Sequence, residues 1–241
     1  MDIAKPQIIT LAEKPINYTV YDGKWIPKSK RFVSIGSHAK GTGALEIYTL
    51  NPSEKSGGFE CEKTVATETK ISLSVATFHA SDLNSRNIAT ADFAGNLQIF
   101  DVEKLKALNT WSAVHNAEKK RIVKALVGCG GLNIGEGPQE LASGGEDGIV
   151  KIWDLRQKGE EVVKLSPTNS ETDNVNLPSL PKSSRACWAL AFGNAFDQSN
   201  RALTAGYDNG DVKMFDLRML WRKIYKKINF FPADDYFFSI F

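Results

Sequence analysis

The sequence predicts an all-β fold built from repeated four-stranded antiparallel units, and three observations carry that reading. The first is an internal repeat: Ile88–Asp101 (IATADFAGNLQIFD), Leu141–Asp154 (LASGGEDGIVKIWD) and Leu203–Asp216 (LTAGYDNGDVKMFD) align without gaps, and Phe32–Tyr48 is a looser fourth copy. The second is a glycine turn inside each copy, at Thr42-Gly43, Ala94-Gly95, Asp147-Gly148 and Asn209-Gly210. Asp-Gly and Asn-Gly are strong two-residue hairpin signals, because a type I′ turn needs positive φ at both central positions. The third is the strand that follows the turn, where Val150 and Ile152 alternate with Lys151 at the two-residue period of a half-buried strand.

Taken in chain order, each unit begins with an apolar run bounded by turn residues: Tyr18–Trp25, Ile71–Phe78, Ile122–Val127 and Ala186–Phe192. The hairpin of the repeat supplies the second and third strands, and a looser run such as Glu161–Leu165 supplies the fourth. Four strands per unit is the blade of a β-propeller. The expected organisation is an N-terminal strand segment over 1–14, then about four blades over 15–66, 67–114, 115–165 and 185–218. The aromatic anchors Tyr48, Phe100, Trp153 and Phe215 are 52, 53 and 62 residues apart. Because a compact repeat of this kind takes ~40–45 residues, the excess belongs in loops. The widest gap coincides with 166–184, a polar, Pro-rich stretch expected to be a mobile insertion. Residues 219–241 carry no such turn and read as an aberrant end outside the repeat; the alternative is an amphipathic helix with Leu220, Trp221, Ile224, Tyr225 and Ile228 on one face.

Composition removes several function classes. Thirty basic against 28 acidic side chains leave a net charge of +2, far from the concentrated basic face that phosphate-backbone binding needs, so nucleic acid is not an expected partner. Cys61, Cys129 and Cys187 are odd in number and widely spaced, which gives neither a disulfide framework nor a zinc pattern. The first ten residues lack the apolar run of a secretory signal, and no stretch approaches the roughly 20 apolar residues of a membrane span. The cytoplasm is the expected location, with no membrane association.

Trp153-Asp154, preceded by Ser-Gly-Gly-Glu-Asp-Gly, resembles the signature of the WD-repeat family. His115 lies 38 residues before Trp153, where that family places a Gly-His pair, although Val114 stands where the glycine would be. The resemblance implies a structural lock made of His115, Ser143, Asp147 and Trp153. The other units keep only parts of it, Asp92 with Thr90 and Asp208 with Ala205. It further implies a closed ring of seven blades, of which this chain carries sequence for about four. The expected ring is therefore incomplete, with open strand edges that recruit other chains. Sequences such as NYTVYDGKW, GGLNIGEG and AGYDNGDVKMFDLR are similar to cytoplasmic WD-repeat co-chaperones of axonemal dynein arm assembly. That similarity implies partners in a co-chaperone complex of RuvB-like ATPases and prefoldin-like subunits, with dynein heavy chains as clients.

No catalytic, cofactor or metal set is expected. The run Gly128–Gly137 (GCGGLNIGEG) follows a strand but lacks Gly-Lys-Ser/Thr and GxGxxG spacing, and reads as a loop between two strands rather than a phosphate cradle. His38, His79 and His115 have no ligand-spaced neighbours, and no GxSxG elbow is present. The expected function is a non-catalytic protein-interaction scaffold, with substrate recognition in a ubiquitin ligase as the alternative. In WD propellers the linker before the first strand and the turn between the second and third strands share one rim. That nominates Tyr18, Lys70, Arg121 and Arg185 from linkers, and Phe93, Asp147 and Asn209 from turns, as protein-binding residues.

Overall fold

The computed structural model describes residues 10–53, 58–81, 84, 86–115, 122–131, 135–157, 161, 163–165, 186–197 and 199–217. Among them the chain is all-β, with fifteen strands and no helix. The first sheet contains β1 (Thr19–Trp25), β2 (Arg31–Ser37), β3 (Gly43–Pro52) and β4 (Phe59–Thr69), hydrogen-bonded in chain order. The second contains β5 (Leu73–Thr77), β6 (Ile88–Asp92), β7 (Leu97–Phe100) and β8 (Ala107–Trp111). The third contains β9 (Val123–Cys129), β10 (Glu140–Gly145), β11 (Val150–Asp154) and β12 (Val163–Leu165). In the fourth, β13 (Cys187–Gly193), β14 (Ala202–Tyr207) and β15 (Val212–Asp216) form three described strands. Every neighbouring pair is antiparallel.

The turns correct the sequence expectation in detail. All four hairpins use one loop, in which residue i donates to the carbonyl of i+4 and a glycine at i+3 donates back to i. The glycines are Gly41, Gly95, Gly148 and Gly210, with φ of 85°, 81°, 74° and 86°. Asp147 and Asn209 do not adopt positive φ, so these are three-residue loops with a left-handed glycine and not two-residue type I′ turns. In the first sheet the glycine is Gly41 and not Gly43, because β2 and β3 each run two residues further than their counterparts. Gly43 pairs with Ser37 inside the strand. β4 likewise runs to Thr69, three residues past the expected boundary at 66.

Three apolar clusters hold the sheets together, each at the junction of two consecutive sheets. Val33, Ile35, Leu45 and Ile47 of the first sheet meet Leu73, Ile88 and Phe100 of the second. Ala89, Ala91, Leu97 and Ile99 then meet Val123, Leu141 and Trp153 of the third. Ala142, Val150 and Ile152 meet Leu203, Ala205 and Phe215 of the fourth. The second, third and fourth sheets thus turn a rear face carrying a repeat-initial apolar residue and an aromatic anchor toward the sheet before. The first, second and third turn a front face of alternate residues toward the sheet after, as the two-residue pleat period requires. Leu73, Leu97, Leu141 and Leu203 are fully buried, and each contributes roughly 2 kcal/mol of transfer free energy.

The first strand of every sheet carries a β-bulge. Tyr21, Ser74, Lys124 and Trp188 are the residues skipped by the register on β1, β5, β9 and β13. An extra residue at this point re-aims one side chain and increases local twist. Thr10–Asn17 contain no strand, and the Leu11 carbonyl accepts a hydrogen bond from Phe59 N at 3.0 Å, beside the start of β4. The expected insertion at 166–184, the end at 219–241 and residues 1–9 of the N-terminal segment lie outside the described residues.

Candidate functional site

Three backbone hydrogen bonds recur at one place in successive sheets. Phe93 N donates to Ser72 O at 3.0 Å, Glu146 N to Ile122 O at 2.9 Å, and Asp208 N to Ala186 O at 3.1 Å. Each joins the linker before a first strand to the turn between the second and third strands. The linkers and turns of the second, third and fourth sheets therefore share one rim.

Beneath this rim in the third sheet four side chains converge. His115 enters from the linker before β9 and is fully buried. Its Nδ1 lies 3.1 Å from Asp147 Oδ1 in the β10–β11 turn, and its Nε2 lies 2.9 Å from Ser143 Oγ on β10. Trp153 Nε1 on β11 donates to the same Ser143 oxygen at 2.9 Å. An ionised Asp147 only accepts, so Nδ1 carries its proton, and Nε2 of a neutral ring receives the Ser143 hydroxyl. Burial pushes the Asp147 carboxyl up, but the His115 ring, the Ile149 amide at 3.0 Å and Lys151 outweigh it and leave it below the usual carboxylate range. Gly145 makes room for this arrangement, since a Cβ there would stand 2.5 Å from His115 Nδ1.

The second sheet satisfies its turn by other means. Asp92 accepts from Ala94 N and Asn96 N at 2.9 Å each and from Asn96 Nδ2 at 2.7 Å, and Asn96 Oδ1 accepts from Ala113 N. Among the described residues, Thr90 reaches the Gln98 carbonyl, at 3.5 Å. In the fourth sheet, Asn209 Nδ2 donates to Asp211 Oδ2 at 2.8 Å, on the surface.

The nominated contact residues separate. Lys70 and Asn209 are exposed on the linker and turn, and Phe93 is half-buried. Tyr18 is buried within the first sheet, its ring edge-on to His38 at 5.5 Å, so it presents no surface to a partner. Arg121 and Arg185 lie outside the described residues. What the repeat alone did not reveal is the row of bulge residues. Tyr21 meets Phe93 edge-on at 5.1 Å; Ser74 Oγ donates to Val123 O at 2.7 Å; Lys124 Nζ stands 3.9 Å above the Trp188 ring. Each crosses from its own sheet to the next one. Tyr21 and Trp188 remain about half exposed, which adds aromatic surface to the row.

At the opposite rim, the described residues of the glycine-rich run join neighbouring sheets. Gly131 N donates to His79 O at 3.1 Å, and a Cβ on Gly128 or Gly131 would lie 2.4 Å or 2.3 Å from the backbone of Ala80 or Ser81. Glu136 N donates to Ala195 O at 2.8 Å. The run thus binds the third sheet to both neighbours, and its glycines serve close backbone approach. Beside it, Arg201 Nη1 donates to Glu140 Oε2 at 2.7 Å, both side chains being buried. Burial raises the Glu140 carboxyl, with Arg201 offsetting part of the effect. No sequence signal marks this pair, whose members are 61 residues apart.

No family model matches the chain. It is 41% identical over 214 residues to human "Dynein axonemal assembly factor 10", covering 89% of this chain and 54% of that protein. The identity to the protein of that name from Chlamydomonas reinhardtii is 43% over 216 residues, covering 89% and 54%. With its Danio rerio counterpart it is 41% over 225 residues, covering 92% and 57%. The chain spans about half the length of the curated relatives it matches.

Proposed function

We propose that the four sheets are blades of a WD-repeat β-propeller and that the chain is a non-catalytic interaction scaffold in axonemal dynein assembly. The observation that carries the scaffold reading is the thrice-repeated linker-to-turn hydrogen bond. It gathers variable loops along one rim of a rigid stack, where contact side chains can differ without disturbing the strands beneath. Aromatic side chains along the bulge row suit a protein partner, since large rigid rings dominate interface energetics. The relatives' name, dynein axonemal assembly factor, supports the dynein context. On this reading the protein acts in the cytoplasm as a co-chaperone adaptor, its partners RuvB-like ATPases and prefoldin-like subunits and its clients dynein heavy chains.

Affinity capture of the tagged full chain from ciliated cells tests the proposal. Enrichment of the ATPase and prefoldin-like subunits together with dynein heavy chains supports it. Recovery of cullin adaptors instead would move the chain to the ubiquitin-ligase class. A variant carrying Lys70→Glu with Asn209→Lys, both on the exposed rim, is expected to lower that recovery while the fold is retained.

A further inference from the structure

A cleft of about 190 Å³ opens between the second and third sheets, on the side away from the linker-to-turn rim. Its buried lining is aliphatic, with Ala89 and Ile99 6% and 7% exposed. Around these stand the half-buried amides of Asn87, Asn109 and Gln139. Among the described residues no charged and no aromatic side chain lines the cleft.

The junctions on either side differ from this one. Immediately before the repeat-initial apolar residue stand Arg31 in the first sheet, Asn87 in the second and Glu140 in the third. Arg31 Nη1 donates to Glu103 Oε2 at 2.9 Å, which ties the first sheet to the second. Arg201 Nη1 donates to Glu140 Oε2 at 2.7 Å, which ties the third to the fourth. Asn87 carries no charge and forms no such bridge among the described residues, and it lines the open cleft instead.

A strand irregularity shapes the same place. The register of β7 with β8 passes from Ile99↔Asn109 to Phe100↔Ala107 and skips Leu108. Adjacent residues of a regular strand face opposite sides, and this bulge lets both Leu108 and Asn109 line the cleft. Leu108 is 49% exposed. No other large apolar side chain of the second or third sheet is exposed among the described residues.

We propose that the cleft docks an extended, uncharged segment of a partner protein, which seats one aliphatic side chain between the two sheets. Each of the three amides offers an acceptor and two donors, and among the described residues none of them is hydrogen-bonded within the protein. A polypeptide main chain carries the matching N–H and C=O groups. Small-molecule pockets span roughly 300–1,000 Å³, more than is present here, whereas about 150 Å³ already admits a benzene-sized group. Nucleobases are held by stacking on aromatic rings, and a charged side chain would be buried against this lining without a counter-charge. The site is separate from the linker-to-turn rim and does not rest on the scaffold reading.

An NMR titration of the full chain with the capped peptide acetyl-Ser-Thr-Leu-Thr-Ser-amide tests this. The side-chain amide signals of Asn87, Asn109 and Gln139 are expected to shift saturably, with a dissociation constant on the order of 1 mM. A peptide with glycine in place of the leucine should bind about tenfold more weakly or worse, having no side chain to bury. Asn87→Ala should weaken the leucine peptide about three- to tenfold through the lost hydrogen bonds. Asn109→Trp should abolish binding by filling the cleft, and Gln139→Trp replaces it should that variant lose its strand circular dichroism. Lys70→Glu with Asn209→Lys, on the other rim, should leave the titration unaltered. The proposal is overturned if no signal saturates up to about 10 mM peptide, or if the glycine peptide binds equally well. It is also overturned if a folded cleft-filling variant binds like the wild type, or if N-acetylglucosamine saturates the same signals more tightly than the leucine peptide.

Discussion

His115 Nε2 and Ser143 Oγ stand 2.9 Å apart across 28 residues of sequence, both fully buried. The contact ties a linker to a central strand. Because Ser143 also accepts from Trp153, removing its hydroxyl strands two buried nitrogen groups at once. A buried group left without its partner costs about 1–3 kcal/mol, so Ser143→Ala is expected to lower the unfolding free energy by roughly 2–4 kcal/mol. Trp153→Phe, which keeps most of the packing and removes one donor, should cost about half as much. Urea denaturation followed by circular dichroism measures both, and equal losses would show that packing and not hydrogen bonding dominates.

The depressed Asp147 carboxyl makes this region acid-sensitive in a defined direction. A carboxyl whose folded pKa lies below its unfolded value adds stability that is present above the unfolded pKa of about 3.9 and is lost as pH falls through the folded one. Stability plotted against pH should therefore drop on the acid side of pH 4. In Asp147→Asn that drop should be smaller, and overall stability near pH 7 lower. An unaltered acid limb in the variant would remove Asp147 from the linkage.

Gly145 is sterically committed. The Cβ of an alanine would press on both the His115 ring, at 2.5 Å, and the Asp147 carboxylate, at 2.7 Å. Gly145→Ala is expected to destabilise by about 1–3 kcal/mol through overpacking, whereas Gly206→Ala, whose nearest neighbour is 3.6 Å away, should be near neutral. Thermal unfolding of the two proteins side by side distinguishes them.

The three cysteines should react unequally. Cys129 and Cys187 are buried, and burial raises both thiols, that of Cys187 to about 12. Only the thiolate is nucleophilic, so Cys61, which is partly exposed on β4, should account for the fast phase of labelling by a maleimide. Mass spectrometry after brief exposure locates the label; equal labelling of Cys187 would mean that the junction of the third and fourth sheets opens readily.

The legible part of this molecule is the part governed by short-range rules. Alternation and turn glycines were enough to place the central hairpins β6–β7, β10–β11 and β14–β15. Outer strands were harder: β4 (FECEKTVATET) has one face or both toward water, so its pattern is mostly polar and no apolar run marks it in the sequence. The type of turn was misjudged because Asp-Gly and Asn-Gly fit more than one loop, and only the backbone decides between them. The polar constellation in the third sheet was legible only as what the resemblance to the WD-repeat family implies for His115, Ser143, Asp147 and Trp153. The bulges and the Glu140–Arg201 pair were not, since a skipped register and a contact between distant charges leave no local periodicity.

A surplus residue on each first strand has a further implication for mutability. Removing Lys124 would not merely delete a side chain above Trp188; it would rejoin Val123 directly to Ala125 and erase the irregularity at Gly144/Gly145. Val123 would still oppose Gly145 and Ala125 would still oppose Gly144, so the flanking side chains would keep their faces and the strand would lose only its extra twist and the cation over Trp188. Single-residue deletions there should be tolerated better than changes of length within the hairpin loops, where Phe93 meets Tyr21 and Asp147 meets His115.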